Sequence, residues 1–235
     1  MENSAFIEKL TEFGLTRQEA TVYENLLAEG KSSGYEVAKA TGISRSNAYS
    51  SLANLTEKGA AYLTEEGSAK KYIAVEIDEF AENYMRGLET SRQWLITHAP
   101  HRKEVEEGYI TIEGVQHIQN KIRHLLNGVQ ERVYITCQAS YLPLFEKELK
   151  VLIEKGKKVV IITDAEICFQ KATVYVSENR GVQIGLIVDS RYALTGEFGE
   201  GSMNTCLYSG QKNFATLYKN ALANEIKLIQ YRKGE

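Results

Sequence analysis

The sequence predicts a mixed α/β (α+β) protein in which a mostly helical first part precedes a second part of alternating strands and helices. Three observations carry this. Up to about residue 58 the apolar residues recur at helical spacing, broken by Gly30, Gly42 and Gly59. Residues 60–75 then read as a short hairpin with a charged tip. From Glu107 onward, apolar runs such as Val133–Ile135, Val159–Ile162 and Ile184–Val188 alternate with amphipathic segments. At 235 residues the chain can form one large domain or two modest ones, each able to bury a core.

The first helix carries Phe6, Ile7 and Leu10. Thr16 with Glu19 has the spacing of a capping box, and Ala20, Tyr23, Leu26 and Leu27 continue an apolar face as far as Gly30. Tyr35, Val37 and Ala38 mark a short helix that ends at Thr41-Gly42, the tight turn of a helix-turn-helix. Ser44 is an N-cap for the next helix, whose buried stripe is Ala48, Leu52 and Leu55. Arg45, Asn47, Ser50, Ser51 and Asn54 are assigned to the opposite face, where short polar groups can lie against base edges and phosphates in a major groove. Gly59 closes the helix. The following strands reverse near Glu66-Gly67-Ser68, with Lys70 and Lys71 just beyond the tip. Residues 1–75 therefore read as a winged helix-turn-helix.

This segment resembles the TrmB family of prokaryotic transcriptional regulators. The carrying residues are Leu15-Thr16-Arg17-Gln18-Glu19-Ala20 through Tyr23, Leu26 and Leu27, then Ile43-Ser44-Arg45-Ser46-Asn47-Ala48-Tyr49-Ser50-Ser51-Leu52, and Gly59 with Lys71-Tyr72. The resemblance implies a DNA-binding regulator. Ser44, Arg45, Ser46 and Asn47 at the helix start, with Ser50, are then the candidates for contacts to bases and nearby phosphates. Asn reads adenine and Arg guanine, each for about 1–3 kcal/mol when bidentate. Tyr49 is either a phosphate contact or a core aromatic. Lys70 and Lys71 would take backbone or minor-groove phosphate, against the plainer reading of a solvated hairpin.

Charge gives this reading little help. The chain carries 28 basic and 31 acidic residues, a net −3. Between Lys31 and Lys71 six basic residues face four acidic ones. Two such weak footprints must add, so a DNA-binding form is expected to be a dimer. Cys137, Cys168 and Cys206 show no C-x-x-C spacing and are expected to pack as small apolar residues in a reducing cytoplasm. No apolar run is long enough to span a membrane and no leader is evident.

Residues 76–106 form the expected linking helix. A loose heptad runs through Ile77, Tyr84 and Ser91 with Phe80, Gly87 and Trp94, and Pro100 ends or kinks it. A dimerisation role is expected by analogy with the same family. Residues 107–235 form the α/β part: a strand at Tyr109–Ile112, a helix to Leu126, a strand at Val133–Cys137, and a helix through Leu144–Ile153. Strands then follow at Val159–Thr163, Val174–Val176, Ile184–Val188, Tyr192–Leu194 and Cys206–Tyr208, with a closing helix over Phe214–Ile229. The central strands are continuously apolar, as in a sheet covered on both faces.

This half is similar to the phospholipase D-like domain that follows the helix-turn-helix in many members of that family. The resemblance rests on Gln116–Leu126, Val133–Thr136, Leu149–Thr163 and the hairpin Leu186–Gly196. Enzymes of that superfamily carry His-x-Lys-x4-Asp twice, the histidine being the phosphoryl nucleophile. Here the one His-x-Lys is His101-Arg102-Lys103, and Gly108 stands where the aspartate would be. The domain is therefore expected to be non-catalytic, kept for sensing or assembly, and no catalytic residue or cofactor is assigned. His117 and His124 are seven apart, a spacing that does not close on one ion, so no metal is expected. The glycine-rich stretches at 181–185 and 196–201 read as turns, the second as a flexible, acidic and aromatic loop. With Asp164, Asp189 and Arg191 at strand ends, it is a candidate border of an effector cleft. Longer family members carry a further sugar-binding domain; this chain stops at Glu235, and no maltose-type effector is expected of it.

The expected function is that of a sequence-specific regulator binding double-stranded operator DNA, with an unidentified small-molecule effector possible and no membrane partner. The alternatives are a winged helix that binds protein, and a phospholipase D-like phosphodiesterase or nuclease.

Overall fold

A computed structural model describes residues 2–66, 69–100, 108–177 and 180–234. Its contacts divide the chain into two compact units, Met1–His101 and Arg102–Glu235.

The first unit runs α1 (Glu2–Glu12), α2 (Arg17–Glu29), α3 (Gly34–Thr41), α4 (Arg45–Glu57), β1 (Ala61–Glu66), β2 (Ala69–Ala74) and α5 (Ile77–His98). The capping box at the start of α2 is formed: Thr16 Oγ1 accepts from the Glu19 amide at 3.2 Å and the Glu19 carboxylate accepts from the Thr16 amide at 2.8 Å. Ser33 and Glu36 build a second one at α3, which the sequence reading passed over. Gly42 sits at φ +71, the left-handed position that ends α3 and turns the chain into α4. Strands β1 and β2 pair in register from Ala61↔Ala74 to Glu66↔Ala69, while the tip residues Gly67 and Ser68 lie outside the described residues. Ser32 adds a bridge to Tyr72 on the other side of β2.

The core of this unit collects Tyr23, Leu26, Leu52, Leu55 and Phe80, all fully buried. The Tyr23 hydroxyl donates to the Val75 carbonyl at 2.7 Å, so its ring packs without an orphaned polar atom. Phe80 lies 5.5 Å from Tyr23 and Tyr84 5.5 Å from Phe13. The expected heptad is therefore split, because Phe80 and Tyr84 face their own unit's core. Helix α5 belongs to the first unit and ends at His98, with Ala99 extended ahead of Pro100.

The second unit runs β3 (Ile110–Glu113), α6 (Val115–Asn127), β4 (Arg132–Thr136), a 3-10 segment (Ala139–Phe145), α7 (Glu146–Glu154), β5 (Lys158–Thr163), β6 (Thr173–Val176), β7 (Gln183–Val188), β8 (Tyr192–Glu197), β9 (Thr205–Ser209) and α8 (Lys212–Lys233). Seven strands form one mixed sheet in the order β3-β9-β8-β7-β4-β5-β6. Strands β4, β5 and β6 are parallel, and β7, β8, β9 and β3 join antiparallel.

The faces are covered unequally. Val133, Ile135, Val159 and Ile161 pack with Ile118 and Ile122 of α6 and Leu149 of α7. On the other face Ile162, Ile187 and Ala193 meet Ala215, Leu222 and Ile229 of α8. This two-sided burial explains why β5 and β7 read as unbroken apolar runs.

A close approach holds β8 against β9. A Cβ at Gly196 would lie 2.1 Å from the Thr205 carbonyl oxygen on β9, where backbone meets backbone. The loop after it is organised rather than flexible: Phe198 is buried with its ring 5.0 Å from Tyr141, and the Asn204 side chain accepts from the Gly199 amide and donates to its carbonyl. Gly196→Ala should lower the stability of the second unit by about 1–3 kcal/mol, read as an earlier thermal transition of that unit. An unchanged transition would show that β8 and β9 can part without loss.

Candidate nucleic-acid interface

Helix α4 separates its two faces cleanly along its first three turns. Ala48, Leu52 and Leu55 are fully buried, and Ser44, Arg45, Ser46, Asn47 and Ser50 are all exposed. The Ser44 hydroxyl accepts from the Asn47 amide and starts the helix. Ser51 departs from the sequence reading. It is buried, because position 51 follows Ala48 by three and precedes Leu55 by four, inside the apolar stripe. Asn54 remains exposed, but its side-chain amide is engaged, donating to Glu19 at 2.9 Å.

Two aromatic rings frame the exposed turn. The Arg45 guanidinium sits 4.6 Å over the centroid of the half-exposed Tyr35 ring at the start of α3. Tyr49 is 46% exposed, so it is no core aromatic. Its ring lies on the backbone of Gly34, where any Cβ would fall 2.5 Å from Cε1. Sequence reasoning used Tyr35 only as an apolar marker of α3. The signal was its place two residues after the Ser33 N-cap, on the outer side of that helix.

On the hairpin Lys70 is exposed opposite Glu65, and Lys71 is half-buried opposite Thr64. Lys58, counted as basic surface from the sequence, is taken up by the fold. Its ammonium donates to Glu19 Oε2 at 2.6 Å and to the Gly14 carbonyl at 2.9 Å. Burial alone would raise the Glu19 carboxyl, but Lys58, the Thr16 amide and Asn54 outweigh it and hold it below the ordinary glutamate value.

The residues offered for an effector cleft do not come together. Asp164 follows β5, at the end of the sheet marked by the Thr136↔Ile162 pair, where it accepts from the Ala139 amide at 2.7 Å. Asp189 and Arg191 lie at the other end, marked by the Val133↔Val188 pair, some six residues or about 20 Å away along the strand. Asp189 accepts from the amides of Gln130, Glu131 and Arg132 at 2.8–2.9 Å. Despite its partial burial these bonds hold its carboxyl below the usual aspartate value. With Ser190 it occupies positive φ in the β7–β8 turn, so it is a turn residue. Arg191 is exposed.

Cys137 and Cys206 pack in the core as expected, burial pushing their thiols up to about 12 and 11. Cys168 is exposed, contrary to the packing expectation. His117 and His124 are exposed on α6, and His101-Arg102-Lys103 lies outside the described residues. No helix among the described residues is long and apolar enough to cross a membrane.

The fold and the exposed first turn of α4 define a winged helix-turn-helix. Residues 10–78 match the family model described as sugar-specific transcriptional regulator TrmB, and over them the chain is TrmB-like. It is 23% identical over 216 residues to the HTH-type sugar sensing transcriptional regulator TrmBL1 of Pyrococcus furiosus, covering 89% of this chain and 61% of that protein. It is 26% identical over 177 residues to the uncharacterized protein YrhO of Bacillus subtilis, covering 73% of this chain and 63% of that one. The chain thus spans about three fifths of the length of these curated relatives. Among solved structures, TrmBL2, an archaeal chromatin protein, is similar with a TM-score of 0.44 at 18% identity, over 96% of this chain and 98% of that one. NucT from Helicobacter pylori is similar with a TM-score of 0.41 at 13% identity, over 52% and 97%.

The Glu19 environment has a measurable consequence. Because its pKa is lowered from 4.5, its stabilising contribution is complete above that pH and is lost as pH falls through the folded value. Lys58→Met removes the counter-charge, leaving burial to raise the carboxyl instead. The variant should lose about 2 kcal/mol at neutral pH, and its acid destabilisation should begin at a higher pH than in the parent. Chemical denaturation of the first unit from pH 3 to 7 reads both, and parallel curves would disprove the coupling.

Proposed function

We propose that the chain is a sequence-specific, dimeric DNA-binding transcriptional regulator whose second domain is non-catalytic. The observation that carries this is the first turn of α4. Five short polar or cationic side chains stand exposed on a helix whose other face is fully buried, and Arg45 is already extended over Tyr35. A helix of this form enters a major groove with its N-terminal residues at the base edges. Arg45 and Asn47 then read bases, Ser44, Ser46, Ser50 and Tyr49 take nearby phosphate, and Lys70 and Lys71 hold the backbone from the wing. The match to the TrmB model and the similarity to the transcriptional regulator TrmBL1 support the same reading.

The free half of α5 supports the dimer. Leu88 and Leu95, one heptad apart, are 48% and 62% exposed, flanked by Met85 and Ile96. Such a stripe suits the same stripe of a second copy. The non-catalytic reading rests on the sequence, which holds one His-x-Lys with Gly108 in the aspartate position.

Selection of fragmented genomic DNA on the purified protein should enrich one palindromic site, and the Arg45→Ala/Asn47→Ala double variant should lose it. On that site Arg45→Ala should cost about 1–3 kcal/mol and relax one base preference, whereas Lys70→Ala should weaken all DNA alike. Four to eight phosphate contacts per dimer should give a log–log salt slope of roughly −4 to −7. A winged helix that binds protein instead would give no enrichment and no such slope. Leu88→Asp/Leu95→Asp should convert the dimer to monomer in sedimentation and abolish the palindromic preference; a persisting dimer would place the interface elsewhere.

A further inference from the structure

The α8 face of the second unit holds a cavity of about 320 Å3 that none of the roles above uses. Its floor is apolar, made by Val160 of β5, Ile187 of β7, and Leu222 and Ile226 of α8. Tyr134 and Tyr175, both half-buried, stand at its sides, and Thr173 and Ser190 add hydroxyls. Lys158, Lys219 and Lys227 close the rim.

Two features point to what it binds. The volume falls at the small end of the range for sites that enclose small organic molecules, about 300–1,000 Å3. The charged residues of the lining are three lysines, with no carboxylate among them. Among the described residues none of those ammonium groups has an ion-pair partner. Lys219, Ala223, Ile226, Lys227 and Gln230 recur at three- and four-residue steps, so one face of α8 supplies both apolar floor and cationic rim. An apolar pocket ringed on one side by unpaired cations is complementary to an amphipathic anion. The apolar body replaces water on the floor, and the anionic head takes charge-assisted hydrogen bonds from the rim.

We propose that this cavity is a binding site for a small amphipathic organic anion, with an aromatic or aliphatic body and a carboxylate, sulfonate or phosphate head. The site rests on the second unit alone and stands whether or not the first unit binds DNA. It gives an effector a place between α8 and strands β4–β7.

The test uses the full chain and 8-anilinonaphthalene-1-sulfonate as the anionic probe, with neutral N-phenyl-1-naphthylamine and inorganic phosphate as controls. The sulfonate should bind one per chain, the neutral analogue more weakly, and phosphate alone should not displace it. Lys219→Gln/Lys227→Gln, at two exposed positions, should weaken the sulfonate at least tenfold and leave the neutral analogue unchanged. Ala223→Trp, which fills the cavity, should abolish both while far-ultraviolet dichroism and the thermal transition are retained. Sulfonate binding that survives both variants, as it would on the exposed apolar residues of α5, overturns the proposal. So does equal affinity for the charged and neutral probes, or the absence of binding by the parent chain.

Discussion

One buried carboxylate sets the geometry of the first unit. Glu19 closes the capping box of α2 through the Thr16 amide and receives Asn54 and Lys58 from the last turn of α4. A carboxylate with 3% of its side chain exposed is tolerable only if its lone pairs are filled and its charge is met. Both conditions are satisfied from residues 35 and 39 positions away, so the start of α2 and the end of α4 are held in one relation. The N-terminal turn of α4 is left as the end that projects. Gly34 completes the arrangement by letting the Tyr49 ring lie on the α3 backbone, beside the Tyr35 ring that carries Arg45.

The second unit obeys a different constraint. A seven-stranded sheet needs both faces covered, and two helices serve one face while α8 alone serves the other. A single 22-residue helix does not cover the whole width, and the uncovered part over β4–β7 is the lysine-rimmed cavity. Arg180, buried just ahead of β7, forms an ion pair with Glu225 on α8. That contact pins the helix at mid-length, whereas Lys219 and Lys227 on the neighbouring face of the same helix stay free to meet an anion.

Period and capping made most of this architecture readable. The amphipathic face of α2, the Thr16–Glu19 box, the Gly42 turn and all seven strands of the large sheet follow local rules of spacing and turn chemistry. What escaped depends on long-range partners. Nothing near Glu19 in sequence announces Asn54 or Lys58, so the sequence alone leaves Lys58 looking like free surface charge. Asp189 looked like a ligand group because carboxylates at strand ends often are, yet three backbone amides some 57–59 residues earlier claim it. Ser51 is legible in principle: its place between Ala48 and Leu55 in the apolar stripe outweighs its polarity. Phe198 and Asn204 likewise turn an apparently flexible glycine loop into a packed one. The cavity was invisible because its lining comes from four strands and a helix spread over almost one hundred residues, from Tyr134 to Gln230.

The weak charge of the chain is consistent with a regulator rather than a general nucleic-acid coat. Non-specific affinity comes from neutralised phosphates, and with the Lys58 ammonium engaged by Glu19 and the Gly14 carbonyl the winged helix has few cations to offer. On the proposed reading, affinity must then come from base contacts made by α4 and from doubling them across a dimer. Base contacts discriminate between sequences, whereas phosphate contacts only add to all of them. A poorly charged winged helix therefore trades affinity for selectivity, and the exposed end of α5, which would join two copies, becomes as necessary to DNA binding as the recognition helix itself.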